Sequence, residues 1–258
     1  MRGIIGRVGG KSKLRERIIG MMPKHTIYIE PFVGGGSVLF GRKEDPNIKE
    51  IVNDKDREVA SVYSDTKAVG DKLEAWAPVS EAEFKRLLAQ KSFSSPLERL
   101  RRNVKLSATS FRGNRRSYMG QAAVQEQINR GGPAKGAGKD YGRYKERLKN
   151  VRILNQDWKS VIKKYDSPNA LIYLDPPYST AAARKDYTNN DITPAELISF
   201  LKGVKGKFIL SYDKNAEMRK LAREAGFKVM NVSTTYNRPG GRGEASRETK
   251  QEFIIRNY

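Results

Sequence analysis

Short runs of β-branched and aromatic residues alternate with capped helical segments along much of this chain. Seven runs predict strands, most of them apolar enough to be buried on both faces: Thr26–Glu30, Glu50–Asn53, Val151–Gln156, Ala170–Leu174, Lys207–Tyr212, Lys228–Tyr236 and Glu252–Tyr258. Between strands, Thr193-Pro194-Ala195-Glu196 is typical of a helix start, and Gly226 after Asn215–Ala225 is typical of a helix end. This alternation predicts a doubly wound α/β sheet.

Residues 59–148 interrupt the alternation, because they contain no convincing strand and are far too many for an ordinary loop. Two capping boxes lie among them, Ser80-Glu81-Ala82-Glu83 and Ser95-Pro96-Leu97-Glu98. Helical spacing continues after the second box through Leu97, Leu100, Val104, Ala108 and Phe111. We therefore expect an inserted, mainly helical domain within an α/β domain made of residues 1–58 and 149–258.

The chain is strongly basic, with a net charge of +21 and a sequence pI of about 10.0. Lysine and arginine recur along its whole length, which favours a polyanionic partner, and nucleic acid is the first choice. An anionic membrane is a weaker choice, because surface binding would want a basic amphipathic helix with a strong apolar face, and no apolar stretch approaches the roughly 20 residues of a membrane span. The first residues also lack the apolar segment of a signal peptide, so we expect a cytoplasmic protein without a transmembrane segment.

Cysteine is absent and His25 is the single histidine of the 258 residues. Zinc ribbons, disulfides, thiol nucleophiles and Cys-His pairs are therefore excluded. Chemistry must come from carboxylates, amides, aromatic rings and a bound cofactor, and no metal is expected.

A conspicuous tetrapeptide, Asp175-Pro176-Pro177-Tyr178, follows the apolar run Ala170–Leu174 directly. Ligands of open α/β sheets bind just past the carboxyl ends of strands, and proline ends strand pairing there. An ordinary turn uses the same residue types, so by itself the tetrapeptide leaves both readings open. It resembles the DPPY motif of the S-adenosylmethionine-dependent amino methyltransferases, which modify adenine N6 or cytosine N4.

A glycine-rich turn follows the first predicted strand. Phe32, Gly34 and Gly36 match the Phe-x-Gly-x-Gly of motif I in the same methyltransferases, and glycine lets a backbone approach a ligand closely. The second strand ends in Asp54, where Rossmann-type sites bind ribose hydroxyls. A helix cap is the other role open to Asp54, although Asp56 could fill it.

Two further segments extend the resemblance. Gly9-Gly10-Lys11 is similar to the family's amino-terminal Gly-x-Lys, and Asp157-Trp158 is similar to its Asp-Phe pair. In the family these positions contact the methionine end and the adenine ring of the cofactor. The resemblance thus assigns S-adenosylmethionine binding to Gly10, Lys11, Glu30, Phe32, Gly34, Gly36, Ser37, Asp54, Asp157, Trp158 and Asp175.

Catalysis is assigned by the same resemblance to Asp175, Pro176 and Tyr178. The amino nitrogen of adenine is a poor nucleophile, since its lone pair is delocalised into the ring. Acceptors on the amino protons, the Asp175 carboxylate and the Pro176 carbonyl, localise that pair for direct displacement. Tyr178 is expected to stack on the flipped base, with core packing as its alternative, and residues 179–192 are expected to close over it.

The motif order places the glycine turn first and the insert between the second and third strands. This order resembles the alpha group of DNA adenine methyltransferases, including the DNA adenine methylase and D12 classes, whose insert is the target-recognition domain. The members that read GATC carry an Asn-x-x-Gly-x-Phe-Asn-like hairpin, which residues 112–120 match only loosely, so the target sequence stays open. Gly131–Gly138 is expected to be a solvated linker. The candidates for DNA contact are Arg112, Asn114, Arg115, Arg116 and Tyr118.

The sequence as a whole predicts a site-specific DNA methyltransferase that transfers a methyl group from S-adenosylmethionine to adenine N6 of a flipped base in double-stranded DNA. Two alternatives are an RNA adenine methyltransferase and a non-catalytic DNA-binding protein with a vestigial methyltransferase fold. The motif order argues against the first, and the intact tetrapeptide and glycine turn argue against the second. A monomer or weak dimer is expected, with restriction, phage protection and replication marking as open roles.

Overall fold

The computed structural model of the protein describes residues 1–6, 10–76, 78–129, 140–177, 192–238 and 246–258. They form two compact units, one of Met1–Ser12 with Val33–Gln156, and one of Lys13–Phe32 with Asp157–Tyr258. The strands are β1 Ile27–Glu30, β2 Lys49–Asn53, β3 Arg152–Leu154, β4 Ala170–Leu174, β5 Lys207–Asp213, β6 Lys228–Arg238 and β7 Ser246–Arg256.

These strands form a seven-stranded sheet in the order β3-β2-β1-β4-β5-β7-β6. Strand β4 is parallel to both β1 and β5, strand β3 is parallel to β2, and β7 runs antiparallel to both β5 and β6. The order reverses beside β1, which is where ligands bind in doubly wound sheets. The seven-stranded α/β sheet predicted from the sequence is confirmed.

Strands β3 and β7 differ most in their bounds from the predictions. Strand β3 ends at Leu154, because the Asn53 side chain takes over pairing there: its Oδ1 accepts from Gln156 N–H at 2.8 Å and its Nδ2 donates to Gln156 O at 3.1 Å. Strand β7 begins at Ser246 rather than Glu252, since it pairs with the whole of β6 down to Arg238. The polar residues at the start of β7 have no apolar pattern that could predict that pairing.

In the second unit, the helices are α1 Arg15–Gly20, α8 Trp158–Tyr165, α9 Pro194–Leu201 and α10 Ala216–Glu224. The predicted caps are confirmed, because Thr193 Oγ1 accepts from Glu196 N–H at 3.1 Å and Asn215 Oδ1 accepts from Met218 N–H at 2.9 Å. Every residue of β4 is buried, as its continuous apolar run predicts.

In the first unit, the helices are α2 Ser37–Gly41, α3 Arg57–Val69, α4 Glu81–Ala89, α5 Pro96–Thr109, α6 Gln121–Asn129 and α7 Tyr141–Leu148, with short 3-10 turns at Gly70–Lys72 and Phe111–Gly113. Within the described part of residues 59–148 the regular structure is helical, apart from an isolated bridge between Ser110 and Tyr118. The expected helical character of this segment is therefore confirmed.

Helices α4 and α5 start at the predicted capping serines, but the contacts of Glu98 and the end of α5 differ from the predictions. Ser80 Oγ and Ser95 Oγ accept from the N–H groups of Glu83 and Glu98 at 3.1 Å and 3.2 Å. The Glu98 carboxylate, however, accepts from Ser94 N–H at 2.6 Å, and its bonds to Ser94 lower the pKa of Glu98. Helix α5 also ends at Thr109, so Phe111 leaves the helical spacing and is 55% exposed.

A buried ion triad joins α2, β2 and α7 of the first unit. The Glu50 carboxylate accepts from Arg42 Nη1 at 2.7 Å and from Arg147 Nη1 at 2.6 Å, and all three side chains are less than a tenth exposed. Arg147 also donates to Leu39 O at 3.3 Å. Two guanidinium groups thus share one carboxylate in a region of low dielectric constant.

The Glu50→Gln substitution is expected to lower the free energy of unfolding by about 3 kcal/mol, because it removes the charged carboxylate that two buried guanidinium groups share. Chemical denaturation monitored by circular dichroism measures the change. Glu224→Gln is the matched control: it removes an exposed i,i+4 pair with Lys220 at 3.9 Å and should cost under about 0.5 kcal/mol. Equal costs for the two substitutions would contradict a stabilising triad.

Among the described residues, none of the helices is long and apolar enough to cross a bilayer. In the same part of the chain, no three side chains of the metal-binding types are grouped so that they could hold an ion.

Candidate active site and recognition loop

The glycine turn of the first unit follows Val33 and leads into α2. Gly34 and Gly36 have φ values of 49° and 70°, in the left-handed region that favours glycine. The turn is closed by Gly36 N–H, which donates to Val33 O at 2.7 Å, and Gly35 O accepts from Ile4 N–H at 2.8 Å. The backbone is therefore fixed in a shape that requires glycine.

Asp54 holds this turn from the end of β2. Its Oδ2 accepts from Gly34 N–H at 2.9 Å, and its Oδ1 accepts from Asp56 N–H at 2.9 Å. The cap of α3 is Asp56, whose Oδ1 accepts from Glu58 N–H at 2.9 Å. The alternative role of Asp54 as a helix cap thus falls to Asp56, and Asp54 belongs to the turn.

The two positive-φ glycines face different surroundings. A Cβ added at Gly34 would meet no atom of the described residues within 4 Å, whereas one at Gly36 would lie 2.4 Å from the Tyr63 hydroxyl and 2.9 Å from the Phe40 ring. Tyr63 also donates to Gly34 O at 3.0 Å. The turn is therefore packed from behind at Gly36 and open to a ligand at Gly34, beside the Asp54 carboxylate. Tyr63 was missed by sequence reasoning, since nothing local to it marks the contact.

The remaining predicted cofactor residues of the first unit lie at its amino terminus and after the turn. Lys11 is buried, with 4% exposed, while Gly10 is exposed. Ser37 is the first residue of α2, and the N-cap of this helix is the preceding residue, Gly36.

In the second unit, the carboxyl ends of β1 and β4 lie side by side. The register pairs Ile27 with Ala170 and Ile29 with Ile172, so Glu30 and Asp175 lie at the same edge of the sheet. The Glu30 carboxylate is 2% exposed and accepts from the Tyr28 hydroxyl at 2.8 Å. Asp175 is half-buried and Pro176 is buried. Tyr178 and residues 179–191 lie outside the described residues.

An aromatic group adjoins this edge. The Trp158 ring is 5.7 Å from that of Phe32 and 4.8 Å from that of Phe200, and Trp158 is 4% exposed. Phe32 is half-buried, so it is the more accessible of the two predicted cofactor-binding rings. Asp157 is exposed and caps α8, since its Oδ1 accepts from Lys159 N–H at 3.0 Å and Ser160 N–H at 3.3 Å.

Residues 111–118 form a compact loop after α5, here called the 111–118 loop. It is closed at its base by Phe111 N–H, which donates to Ser117 O at 2.9 Å, and by Met119 N–H, which donates to Thr109 O at 3.0 Å. Asn114 stabilises the bend, because its Oδ1 accepts from Arg116 N–H at 2.9 Å.

The predicted DNA-contact residues of this loop differ in their exposure and in their protein partners. Arg116 is exposed, whereas Arg115 is buried and pairs with Asp56 and Glu58 of the α3 amino terminus. Tyr118 donates to Val79 O at 2.9 Å and packs on Phe84 at 5.4 Å between ring centroids. Burial, followed by the negative charge of Glu81, raises the pKa of Tyr118 and keeps this donor protonated. The Arg112 side chain lies outside the described part of the structure.

Comparison with known proteins decides among the functions that such a fold can carry. Residues 8–238 match the family described as D12 class N6 adenine-specific DNA methyltransferase. The chain belongs to this family. The methyltransferase therefore acts on adenine N6 in DNA, and the family implies S-adenosylmethionine as the methyl donor.

A curated relative supports the same family. The methyltransferase is 26% identical to Type II methyltransferase M.MjaIII of Methanocaldococcus jannaschii, over 97% of this chain and 96% of that protein. Two solved structures are similar to this chain at lower sequence identity. Precorrin-6y C5,15-methyltransferase of Geobacter metallireducens has a TM-score of 0.43 and 8% identity, over 95% of this chain and 86% of that chain. Precorrin 8w decarboxylase of Methanobacterium thermoautotrophicum has a TM-score of 0.40 and 11% identity, over 95% of this chain and 90% of that chain. Their low TM-scores add nothing to the family assignment.

Proposed function

We propose that the methyltransferase modifies adenine in double-stranded DNA at a defined sequence, after the base has turned out of the duplex. The observation that carries the proposal is the Asp175-Pro176 pair at the end of β4, in a chain of this family. A base inside a stacked helix cannot present its amino group to a methyl donor, so extrusion is required. The net charge of +21 favours a DNA partner over a small-molecule substrate.

The proposed chemistry of Asp175 and Pro176 is acceptance of the two amino protons of adenine. These acceptors turn the nitrogen lone pair out of conjugation and aim it for in-line displacement. S-adenosylmethionine supplies an electrophilic methyl group when it is bound. With the cofactor bound, its carbon–sulfur bond would break as the new nitrogen–carbon bond forms, and the surplus proton of N6 would pass to water. No covalent intermediate with the protein is required.

The proposed cofactor contacts fall into separate groups. The Asp54 carboxylate and the open backbone at Gly34 suit ribose hydroxyls, because the turn offers an acceptor beside a position without a side chain. Gly10, Lys11, Gly36 and Ser37 remain proposed contacts of the first unit.

In the second unit, Glu30, Phe32, Asp157, Trp158 and Asp175 remain proposed cofactor contacts. The exposures of the two aromatic residues favour Phe32 as the ring that stacks on adenine, with Trp158 supporting it from the core. Asp157 would act from its capping position.

Target recognition is proposed for residues 59–148, with residues 1–58 and 149–258 as the catalytic domain. Arg112, Asn114 and Arg116 are the proposed DNA contacts, since arginine and asparagine can bind guanine and adenine edges. Arg115 and Tyr118 are proposed to hold the 111–118 loop in place, because both side chains already have protein partners.

The biological setting we propose is restriction and modification. The relative named as a Type II methyltransferase spans nearly the whole of this chain and favours this role. A methyltransferase of that kind protects a short DNA sequence, and a monomer or weak dimer would suffice for transfer to one strand at a time.

One assay tests the proposal. The protein is incubated with methyl-labelled S-adenosylmethionine and duplex DNA, single-stranded DNA or RNA, and the modified base is identified by mass spectrometry. We expect N6-methyladenine in duplex DNA within one sequence context. Transfer to RNA alone would indicate an RNA adenine methyltransferase, and no transfer to any substrate would indicate a DNA-binding protein without activity.

Tyr178→Ala is expected to weaken capture of the flipped base by about tenfold, because one base–aromatic stack contributes about 1–3 kcal/mol. The change is measured as the fluorescence of 2-aminopurine at the target position of a duplex. Tyr178→Phe keeps the ring and should retain the signal. Undiminished fluorescence with Tyr178→Ala would place the tyrosine in the core instead.

A further inference from the structure

Arg115 has an unusual backbone conformation and an unusual environment for a residue on a basic loop. Its φ of 59° is the one positive value among the non-glycine residues that the structure describes. Such a conformation costs an arginine about 1–2 kcal/mol, so surrounding contacts must hold it. Its side chain is 6% exposed, whereas the next residue, Arg116, is exposed to solvent.

The contacts that hold Arg115 lie at the amino terminus of α3. Its guanidinium pairs with the Asp56 carboxylate and lies 3.3 Å from the Glu58 carboxylate. Its backbone N–H donates to Ser110 Oγ at 2.8 Å, which fixes the 111–118 loop against α5. Glu58 is also bound by Arg102 of α5, whose side chain is 3% exposed. The loop is thus held by a network of partly buried charges.

Asp56, which pairs with Arg115, also contacts the residue that supports the glycine turn. Asp56 N–H donates to Asp54 Oδ1 at 2.9 Å, and Asp54 Oδ2 accepts from Gly34 N–H at 2.9 Å. A continuous path of polar contacts therefore runs from Arg115 through Asp56 and Asp54 to Gly34, all within the first unit. The Arg115 guanidinium is the buried member of these ion pairs, with 6% of its side chain exposed, and a buried charge resists separation from its partners.

We propose that Arg115 is a positioning residue that couples the 111–118 loop to the glycine turn. The inference rests on the proposed function, in which the loop contacts DNA and the turn binds the cofactor. A shift of the loop on DNA moves Asp56 and the carboxylate of Asp54 with it, and a ligand on Asp54 restrains the loop. The coupling must be reciprocal: DNA strengthens cofactor binding by the factor by which the cofactor strengthens DNA binding.

The test uses S-adenosylhomocysteine, the demethylated product, as the cofactor probe and a duplex that contains the target sequence. Titration calorimetry gives probe affinity with and without DNA, and fluorescence anisotropy gives DNA affinity with and without the probe. Arg115→Asn removes the ion pair while tolerating the left-handed backbone. We expect it to reduce the mutual enhancement by about fivefold or more, within the usual range of coupling between sites.

Three companion variants separate positioning from general damage. Arg115→Lys keeps the charge and should restore part of the coupling. Asp56→Asn keeps the helix cap, loses the ion pair and should match Arg115→Asn, with no additional loss in the double variant. Arg99→Gln removes a comparable ion pair with Asp65 of α3, 2.7 Å long, and should leave the coupling intact.

Full coupling in Arg115→Asn, or an equal loss in Arg99→Gln, would overturn the proposal. If Arg115→Asn does not fold, as judged by circular dichroism, Asp56→Asn and Arg115→Lys give the same two measurements and decide in its place. Wild-type protein that binds neither the probe nor DNA would contradict the proposed function. Wild-type protein that binds both independently would overturn only the coupling.

Discussion

Asp175→Ala is expected to lower the rate of methyl transfer by about a hundredfold to a thousandfold, the loss typical when a preorganised hydrogen-bonding group at the reacting atoms is removed. Without the carboxylate, one amino proton of adenine has no acceptor and the nitrogen lone pair stays delocalised. The protein should remain folded, since Asp175 lies half-buried after β4 rather than within it. Single-turnover transfer of labelled methyl groups to duplex DNA measures the effect.

A matched variant isolates the charge. Asp175→Asn keeps the shape and one acceptor oxygen, so its rate should lie between those of the wild type and Asp175→Ala. Binding of S-adenosylhomocysteine should fall much less than the rate in both variants. Methyl incorporation near the wild-type rate in Asp175→Ala would remove Asp175 from the catalytic role.

Gly36→Ala is expected to lower the free energy of unfolding by about 4 kcal/mol, as the sum of left-handed strain and overpacking. The added Cβ would lie 2.4 Å from the Tyr63 hydroxyl and 2.9 Å from the Phe40 ring. Because the turn must shift to relieve this contact, binding of S-adenosylhomocysteine should be lost as well. Thermal or chemical denaturation and calorimetric titration measure the two effects.

Gly34→Ala separates stability from binding. Its Cβ would lie more than 4 Å from every atom in the part of the chain that the structure describes, so we expect only about 1–2 kcal/mol of strain from its positive φ. The same methyl group would occupy the open side of the turn and should weaken cofactor binding. The double variant Gly36→Ala/Tyr63→Phe, which removes the nearer clash, should recover part of the stability. Identical losses of stability at Gly34 and Gly36 would show that strain alone accounts for both.

Strand positions were predictable where apolar runs are continuous. Ala170–Leu174 is a strand with the bounds that its sequence predicts, because a strand buried on both faces needs an unbroken apolar run. Capping residues such as Thr193 and Asn215 were predictable for a similar reason, since the cap bond is local. The early end of β3 and the early start of β7 depend on pairing with distant residues and could not be read from their own segments.

The predicted site residues also divide into those whose roles depend on local sequence and those whose roles depend on distant contacts. The need for glycine at Gly34 and Gly36 is local, and the positive φ values agree with the motif. Whether a given arginine of Arg112–Arg116 faces solvent is not local, because Arg115 and Arg116 are neighbours of the same type in a basic segment. The difference in exposure between Arg115 and Arg116 depends on Asp56 and Glu58, which are far from Arg115 in the sequence and adjacent to it in space.

The sequence by itself determined the alternating α/β architecture, the helical segment at residues 59–148 and the family motifs at Phe32–Gly36 and Asp175–Pro176. Periodicity, capping and glycine requirements act over a few residues, so they are written in adjacent letters. The tertiary structure alone decided that Asp56 rather than Asp54 caps α3, that Trp158 is buried beside Phe32, and that Arg115 holds its loop. These roles depend on which distant groups meet in space, and long-range packing and ion pairing set that.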